Sequence, residues 1–162
     1  MMFSPFIDLL LLIIVANAAP VLVRHLFANR FAWPVDGGMK WPDQQPVLGD
    51  SKTWRGLIAS VVLTSLCAAW LNHPLYVGFV VSLFAITGDL CSSFIKRRLR
   101  KPPSSMALGL DQIPESLFPG LIMAPSLGLT MIDVFLLVLI FFVVELGLSF
   151  VLYHLGIRKK PY

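Results

Sequence analysis

The stretch Leu75-Tyr76-Val77-Gly78-Phe79-Val80-Val81-Ser82-Leu83-Phe84-Ala85-Ile86-Thr87-Gly88-Asp89-Leu90-Cys91-Ser92-Ser93-Phe94, closed by Ile95-Lys96-Arg97-Arg98, decides the fold class. No charge precedes Asp89, and as a helix the run is long enough to cross the roughly 30 Å of bilayer hydrocarbon. Asp89 arrives toward one end of that span, and a dense cation cluster follows within two turns. At ~100° per residue, Asp89, Ser93, Lys96 and Arg100 fall on one narrow stripe, with Arg97 at its edge. Leu110-Asp111-Gln112 adds a second aspartate a short loop further on. A carboxylate, a hydroxyl and cations on one face at a membrane surface suit a metal-bound polyphosphate.

Composition agrees with this reading. The 162 residues make one domain by length. With 57% hydrophobic residues, 14% charged residues and a mean hydropathy of +0.79, the chain is no ordinary soluble domain. Five spans are predicted, at about 6–23, 57–71, 75–94, 116–131 and 132–155, with long loops at about 24–56 and 95–115. The expected fold is all-α and polytopic. Leu9–Val15 followed by Ala16-Asn17-Ala18 imitates a secretory leader, but no Lys or Arg precedes it and Pro20 would follow the cut, so a retained first helix is expected.

Lys and Arg fall on one side of that topology. Arg24, Arg30, Lys40, Lys52 and Arg55 lie between spans one and two; Lys96, Arg97, Arg98, Arg100 and Lys101 lie between three and four; Arg158, Lys159 and Lys160 follow span five. The opposite side holds the N-terminal tip, Asn72-His73-Pro74 and a tight turn before Asp133, without Lys or Arg. The positive-inside rule then puts the N-terminus outside and both long loops and the C-terminus in the cytoplasm. The reading is a multi-pass protein of the plasma membrane, whose net charge of +4 belongs to its cytoplasmic face. Nucleic acid is not an expected partner, because the cations flank apolar spans. Cys67 and Cys91 fall inside spans without CxxC spacing and read as small hydrophobes.

The first long loop reads Trp33-Pro34-Val35-Asp36-Gly37-Gly38, Trp41-Pro42-Asp43 and Gly49-Asp50-Ser51-Lys52-Thr53-Trp54-Arg55-Gly56. This is turn chemistry, too polar for a span and too aromatic for a disordered linker. Gly49…Lys52-Thr53 is not a phosphate loop, because Ser51 replaces the glycine before the lysine. The loop is expected instead to donate Lys52 and Arg55 to a phosphate at the membrane surface. Asp89 has a structural alternative, a salt bridge to Lys96 or Arg97 on its own helix. Asn17 has one too, an interhelical hydrogen bond. Glu145, near the middle of span five, either bonds across helices or faces a second copy in a homodimer. Asp8 and Asp133 are expected to be solvated. Pro119, Gly120, Pro125 and Gly128 should kink or break span four.

At Ala16-Asn17-Ala18-Ala19-Pro20, Lys52-Thr53-Trp54-Arg55-Gly56, Gly88-Asp89, Ser93-Phe94-Ile95-Lys96-Arg97-Arg98 and Leu110-Asp111-Gln112, the chain resembles the CDP-archaeol synthases. These are integral-membrane CTP:lipid-phosphate cytidylyltransferases. Ser93-x-x-Lys96-Arg97 is also similar to part of the broader phosphatidate cytidylyltransferase signature. There a further aspartate follows the position matching Asp111, whereas here Ile113-Pro114 intervene and the next acid is Glu115. The hinge Pro102-Pro103-Ser104-Ser105 lacks an early glycine. The resemblance implies that CTP and an isoprenoid-ether phosphatidic acid (archaetidic acid) give a CDP-activated lipid and pyrophosphate. It implies Mg²⁺ on Asp89 and Asp111, with Lys96 completing the catalytic set. It implies substrate contacts from Asn17, Lys52, Thr53, Arg55, Ser93, Arg97, Arg98 and Gln112.

Two rivals belong to other classes. A CDP-alcohol phosphatidyltransferase needs aspartates spaced along one helix with Gly and Ala-Arg between them. Neither Asp36-Gly37-Gly38 nor Gly88-Asp89 continues that way. A small transporter or assembly factor needs polar groups at the bilayer midplane, and Glu145 alone offers one.

Overall fold

The computed structural model describes residues 4–28, 30–102, 105, 107–154 and 156. Among the described residues, five helices follow one another: α1 (Pro5–Phe27), α2 (Trp54–Trp70), α3 (Leu75–Arg98), α4 (Gln112–Leu127) and α5 (Met131–His154). Ser4 caps α1, its hydroxyl accepting the Ile7 N–H, and Pro5 stands at the first helical position where no N–H is needed. By length and composition, α1, α3 and the 131–151 part of α5 suffice to cross a bilayer, while α2 is a shorter apolar helix. Helix α4 begins four residues before the predicted span and ends at Leu127, where Gly128 takes the left-handed conformation (φ 67°) of a C-cap. Of the expected kink or break, the break does not occur: the helix continues through Pro119 and Pro125.

Consecutive helices pack on one another, and α1 touches all four others. Leu9, Leu12 and Ile13 of α1 meet Ala68 and Leu71, Val77 and Val81, Met123, and Leu137 and Phe141. The outer surface is equally apolar, with Ile58, Leu66, Phe79, Phe135, Leu139 and Val143 exposed, while Ser60, Thr64, Ser82, Ser92, Ser93 and Ser116 are buried. Lipid tails are as apolar as leucine, so helix contacts in a bilayer rely on small residues and hydrogen bonds. The Ser60 hydroxyl accordingly donates to the Ala16 carbonyl at 2.7 Å, joining α2 to α1.

Two glycines set the closest approaches. A Cβ at Gly78 would lie 2.4 Å from the Thr64 carbonyl oxygen, and one at Gly88 would lie 2.4 Å from the Pro114 carbonyl. The first joins α3 to α2. The second brings α3 against the start of α4 and so places everything described below.

At the other end, the solvated Asp8 expected from sequence is corrected. Asp8 is 3% exposed and meets His73 Nε2 at 3.0 Å, tying α1 to the α2–α3 turn. A carboxylate beneath a helix-bundle rim is costly unless paired, and the imidazole supplies the pair.

Candidate active site

Both long connections leave the same end of the bundle, and both are folded. In the first, Asp36 accepts the N–H groups of Gly38, Leu48 and Gly49 at 2.8–3.0 Å. Burial alone would raise the Asp36 pKa, but these backbone donors outweigh it and hold the carboxyl below its ordinary value. Val35 N–H donates to the Lys52 carbonyl and Trp54 N–H to that of Trp33, so the loop closes on itself just before α2.

Arg98 pins this loop to α3. Its guanidinium reaches Asp43 at 2.7 Å and the Pro46 carbonyl at 2.5 Å, and stands over the rings of Trp41 and Phe94. Trp41 meets Phe94 edge-on at 5.3 Å. The clamp delivers Lys52 to α3, where its ammonium lies 2.5 Å from both oxygens of Asp89. Asp89 therefore pairs with a lysine 37 positions away and not with Lys96 or Arg97 of its own helix. Burial would depress the Lys52 pKa, but the Asp89 carboxylate more than offsets this and raises it above the ordinary lysine value.

Glu115 of α4 is 6% exposed and interacts electrostatically with Asp89, its backbone nitrogen packed against Gly88 of α3. Glu145 of α5 lies within electrostatic range of Glu115. Nothing in the sequence singled Glu115 out except its position as the next acid after Asp111.

The second connection is built on α3's last turn. Lys96 pairs with Asp111 at 2.7 Å and donates to the Ser105 carbonyl, while Arg97 donates to that of Pro102. The other Asp111 oxygen accepts the Ala107 N–H at 2.9 Å. Asp111 is thus buried and closes its own loop. Part of that hinge, Pro103 and Ser104, lies outside the described residues.

Several polar atoms here have no partner. Arg97 is 3% exposed, yet its Nε and Nη1 donate to nothing among the described residues. Gln112 is fully buried; its Oε1 accepts the Gly109 N–H, but its Nε2 is unpaired. Buried donors left unsatisfied cost about 1–3 kcal/mol each, which favours a ligand able to accept from them.

The remaining expected residues lie on α1 to α3 and the connections adjoining them. Arg55 donates to the carbonyls of Arg30 and Ala28, capping the end of α1. Thr53 occupies the N-cap position of α2, and Ser93 is buried on the α3 face. Asn17 bonds the Ile13 carbonyl of its own helix and lines a cleft between α1 and α5 with Glu145 and Ser149. Arg100, expected on the Asp89 stripe, lies past the helix end and is exposed. Among the described residues, no three His, Cys, Asp or Glu side chains come together as a metal cage.

Comparison with known proteins agrees over the whole bundle. The CarS-like CDP-archaeol synthase family matches residues 5–162. CDP-archaeol synthases of Thermococcus onnurineus and Thermococcus gammatolerans are 34% and 36% identical, each alignment covering 91% of this chain and 89% of the relative. A solved structure described as an intramembrane enzyme for archaeal membrane lipids biosynthesis aligns with a TM-score of 0.74 at 30% identity, covering 88% of this chain and 91% of that one. This chain belongs to the CDP-archaeol synthase family.

Proposed function

We propose that this chain transfers the cytidylyl group of CTP to archaetidic acid, an isoprenoid-ether lipid phosphate, at the membrane end where both long connections meet. Membership of the family makes it a CTP-dependent cytidylyltransferase of lipid biosynthesis. The observation that supports this site is the convergence of Lys52 on Asp89 beside the buried, unpartnered donors of Arg97 and Gln112.

In the reaction, a lipid phosphate oxygen attacks the α-phosphorus of CTP in line. The new O–Pα bond forms as the Pα–O–Pβ bond breaks, and its electron pair leaves with pyrophosphate. The nucleophile is already anionic, so no general base is needed. The protein's task is to hold two mutually repelling anions and to neutralise the leaving group. Lys52 and Arg97 supply N–H donors for phosphate oxygens, and Gln112 Nε2 a neutral one. Lys96 and Asp111 hold the second loop over them. The residues present fit a Mg²⁺ ion at Asp89, a carboxylate whose charge is met here by the Lys52 ammonium and which a cation could take over once Lys52 turns to a phosphate oxygen. Such an ion would neutralise polyphosphate charge.

Purified protein in detergent, given labelled CTP, should form CDP-lipid with the ether lipid phosphate faster than with an ester phosphatidic acid of matched chain length. A clear ester preference would reject the archaetidic acid assignment, and no CDP-lipid from either would reject the reaction.

The N-terminus faces outside and the two long connections face the cytoplasm of the plasma membrane, a reading supported by the one-sided Lys and Arg. In a Cys67→Ala, Cys91→Ala background, Asn72→Cys should react with an impermeant thiol reagent on whole cells, and Gln45→Cys should not. Labelling of position 45 from outside would invert the topology.

A further inference from the structure

We infer that Glu115, rather than Asp111, is the carboxylate that joins Asp89 in holding the divalent cation. The inference rests on the cytidylyl-transfer reading above and names a residue of the same site. One Asp111 oxygen accepts the Ala107 N–H at 2.9 Å, and the other, with no hydrogen bond of its own, is ion-paired with Lys96 of α3 at 2.7 Å. Taking it as a ligand would free a buried lysine and reopen the second connection. Glu115 has no such duty. Glu115 is buried and packs against the residue before Asp89, its backbone nitrogen 2.7 Å from where a Gly88 Cβ would stand, and its carboxyl interacts electrostatically with Asp89.

Two carboxyl groups this close need one proton or one cation between them. In the ligand-free protein, the Lys52 ammonium stands against Asp89 and is also drawn toward Glu115. A divalent cation between Asp89 and Glu115 would balance both carboxylates by itself. Lys52 would then be released toward a phosphate oxygen. The cation would keep its remaining positions for phosphate and water, as Mg²⁺ prefers.

The acidic pair is not the only sign of a ligand. On the same flank of α4, one turn before Glu115, the fully buried Gln112 leaves Nε2 unpaired. Arg97, buried on α3 two turns beyond Asp89, leaves two N–H groups unpaired. These donors call for an anion beside the cation, which is the arrangement a metal-bound triphosphate brings.

The test is Mn²⁺ binding, read by electron paramagnetic resonance on detergent-purified protein with CTP and no lipid acceptor. Glu115→Gln should weaken Mn²⁺ by about tenfold or more, on the scale of losing a metal's close support. Asp111→Asn, which loosens the second connection by weakening its hold on Lys96, should weaken Mn²⁺ clearly less than Glu115→Gln does. Glu115→Asp, one methylene short with its charge kept, should recover part of the loss, and it carries the test if Glu115→Gln does not purify. Wild-type affinity in Glu115→Gln, or an equal loss in Asp111→Asn, would overturn the assignment. No Mn²⁺ bound by the wild-type chain would overturn it too. Cytidylyl transfer would still stand or fall on the labelled-CTP assay.

Discussion

Gly88→Ala tests the packing that assembles the site. The added Cβ would meet the Pro114 carbonyl carbon and oxygen at 2.4 Å and the Glu115 nitrogen at 2.7 Å. All three are backbone atoms of α4, so no rotamer change relieves the clash. To bring 2.4 Å out to the 3.4 Å where ordinary contact begins, α4 must retreat from α3 by about 1 Å. Overpacking of this kind costs about 1–3 kcal/mol. The larger effect is on geometry, because the retreat separates Glu115 from Asp89. A misplacement of ~1 Å in a reacting constellation costs on the order of 10²-fold in rate. The control is Gly78→Ala, whose Cβ meets the Thr64 carbonyl oxygen at 2.4 Å and Ser65 Cα at 2.5 Å, on the other side of α3 against α2. Both variants should lower the unfolding temperature in detergent by similar amounts. Only Gly88→Ala should also lose cytidylyl transfer and Mn²⁺ affinity per folded molecule. Equal activity in the two variants would refute the claim that the Gly88 contact sets the site.

Asp89→Asn should cut turnover by orders of magnitude and raise the Mg²⁺ needed. It also strips Lys52 of its partner, and breaking a buried pair costs roughly 3–5 kcal/mol, less here because both side chains are partly exposed. Adding Lys52→Met should restore stability without activity, and wild-type Mg²⁺ dependence in folded Asp89→Asn would end its role as a ligand. Arg98→Gln removes the contacts to Asp43 and Pro46, so protease cleavage within 39–47 should accelerate and KM for CTP should rise more than kcat falls; unchanged protection would argue against the clamp. The Lys52 pKa is raised, so its ion pair persists below the ordinary lysine value of about 10.4 and is lost as pH climbs through the higher folded value. The Asp36 pKa is lowered, so its contribution is present above about 3.9 and lost as pH falls through the folded value. Tryptophan fluorescence should therefore report loop opening at both extremes, and an unchanged alkaline transition in Lys52→Met would contradict the Lys52 half. His73→Ala should destabilise the protein by about 1–3 kcal/mol by leaving buried Asp8 without its partner, with CTP kinetics unaltered; altered kinetics would tie that end of the bundle to the active site.

The sequence by itself determined the class and most of the helices. Long apolar runs have few stable forms in a bilayer, and their lengths located α1, α3 and α5 closely. It also marked Asp89, because a carboxylate inside such a run needs a partner. It could not name that partner. Helical periodicity suggested Lys96 and Arg97, since spacing within one helix is all that a linear pattern reports. The loop fold held by Asp36 and the Arg98 clamp bring Lys52 from 37 residues away instead. The same limit governs the basic motif Lys96-Arg97-Arg98. Its three neighbours in sequence point three ways: to Asp111, to the Pro102 carbonyl, and to Asp43. Glu115 was visible in the sequence only as a displaced acid. The absence of a side chain at Gly88 lets α4 approach α3 and turns it into a neighbour of Asp89. Charge placement and apolar length are local properties and can be read along the chain. Which charges meet is set by how closely the helices approach one another, and only the packed bundle fixes that.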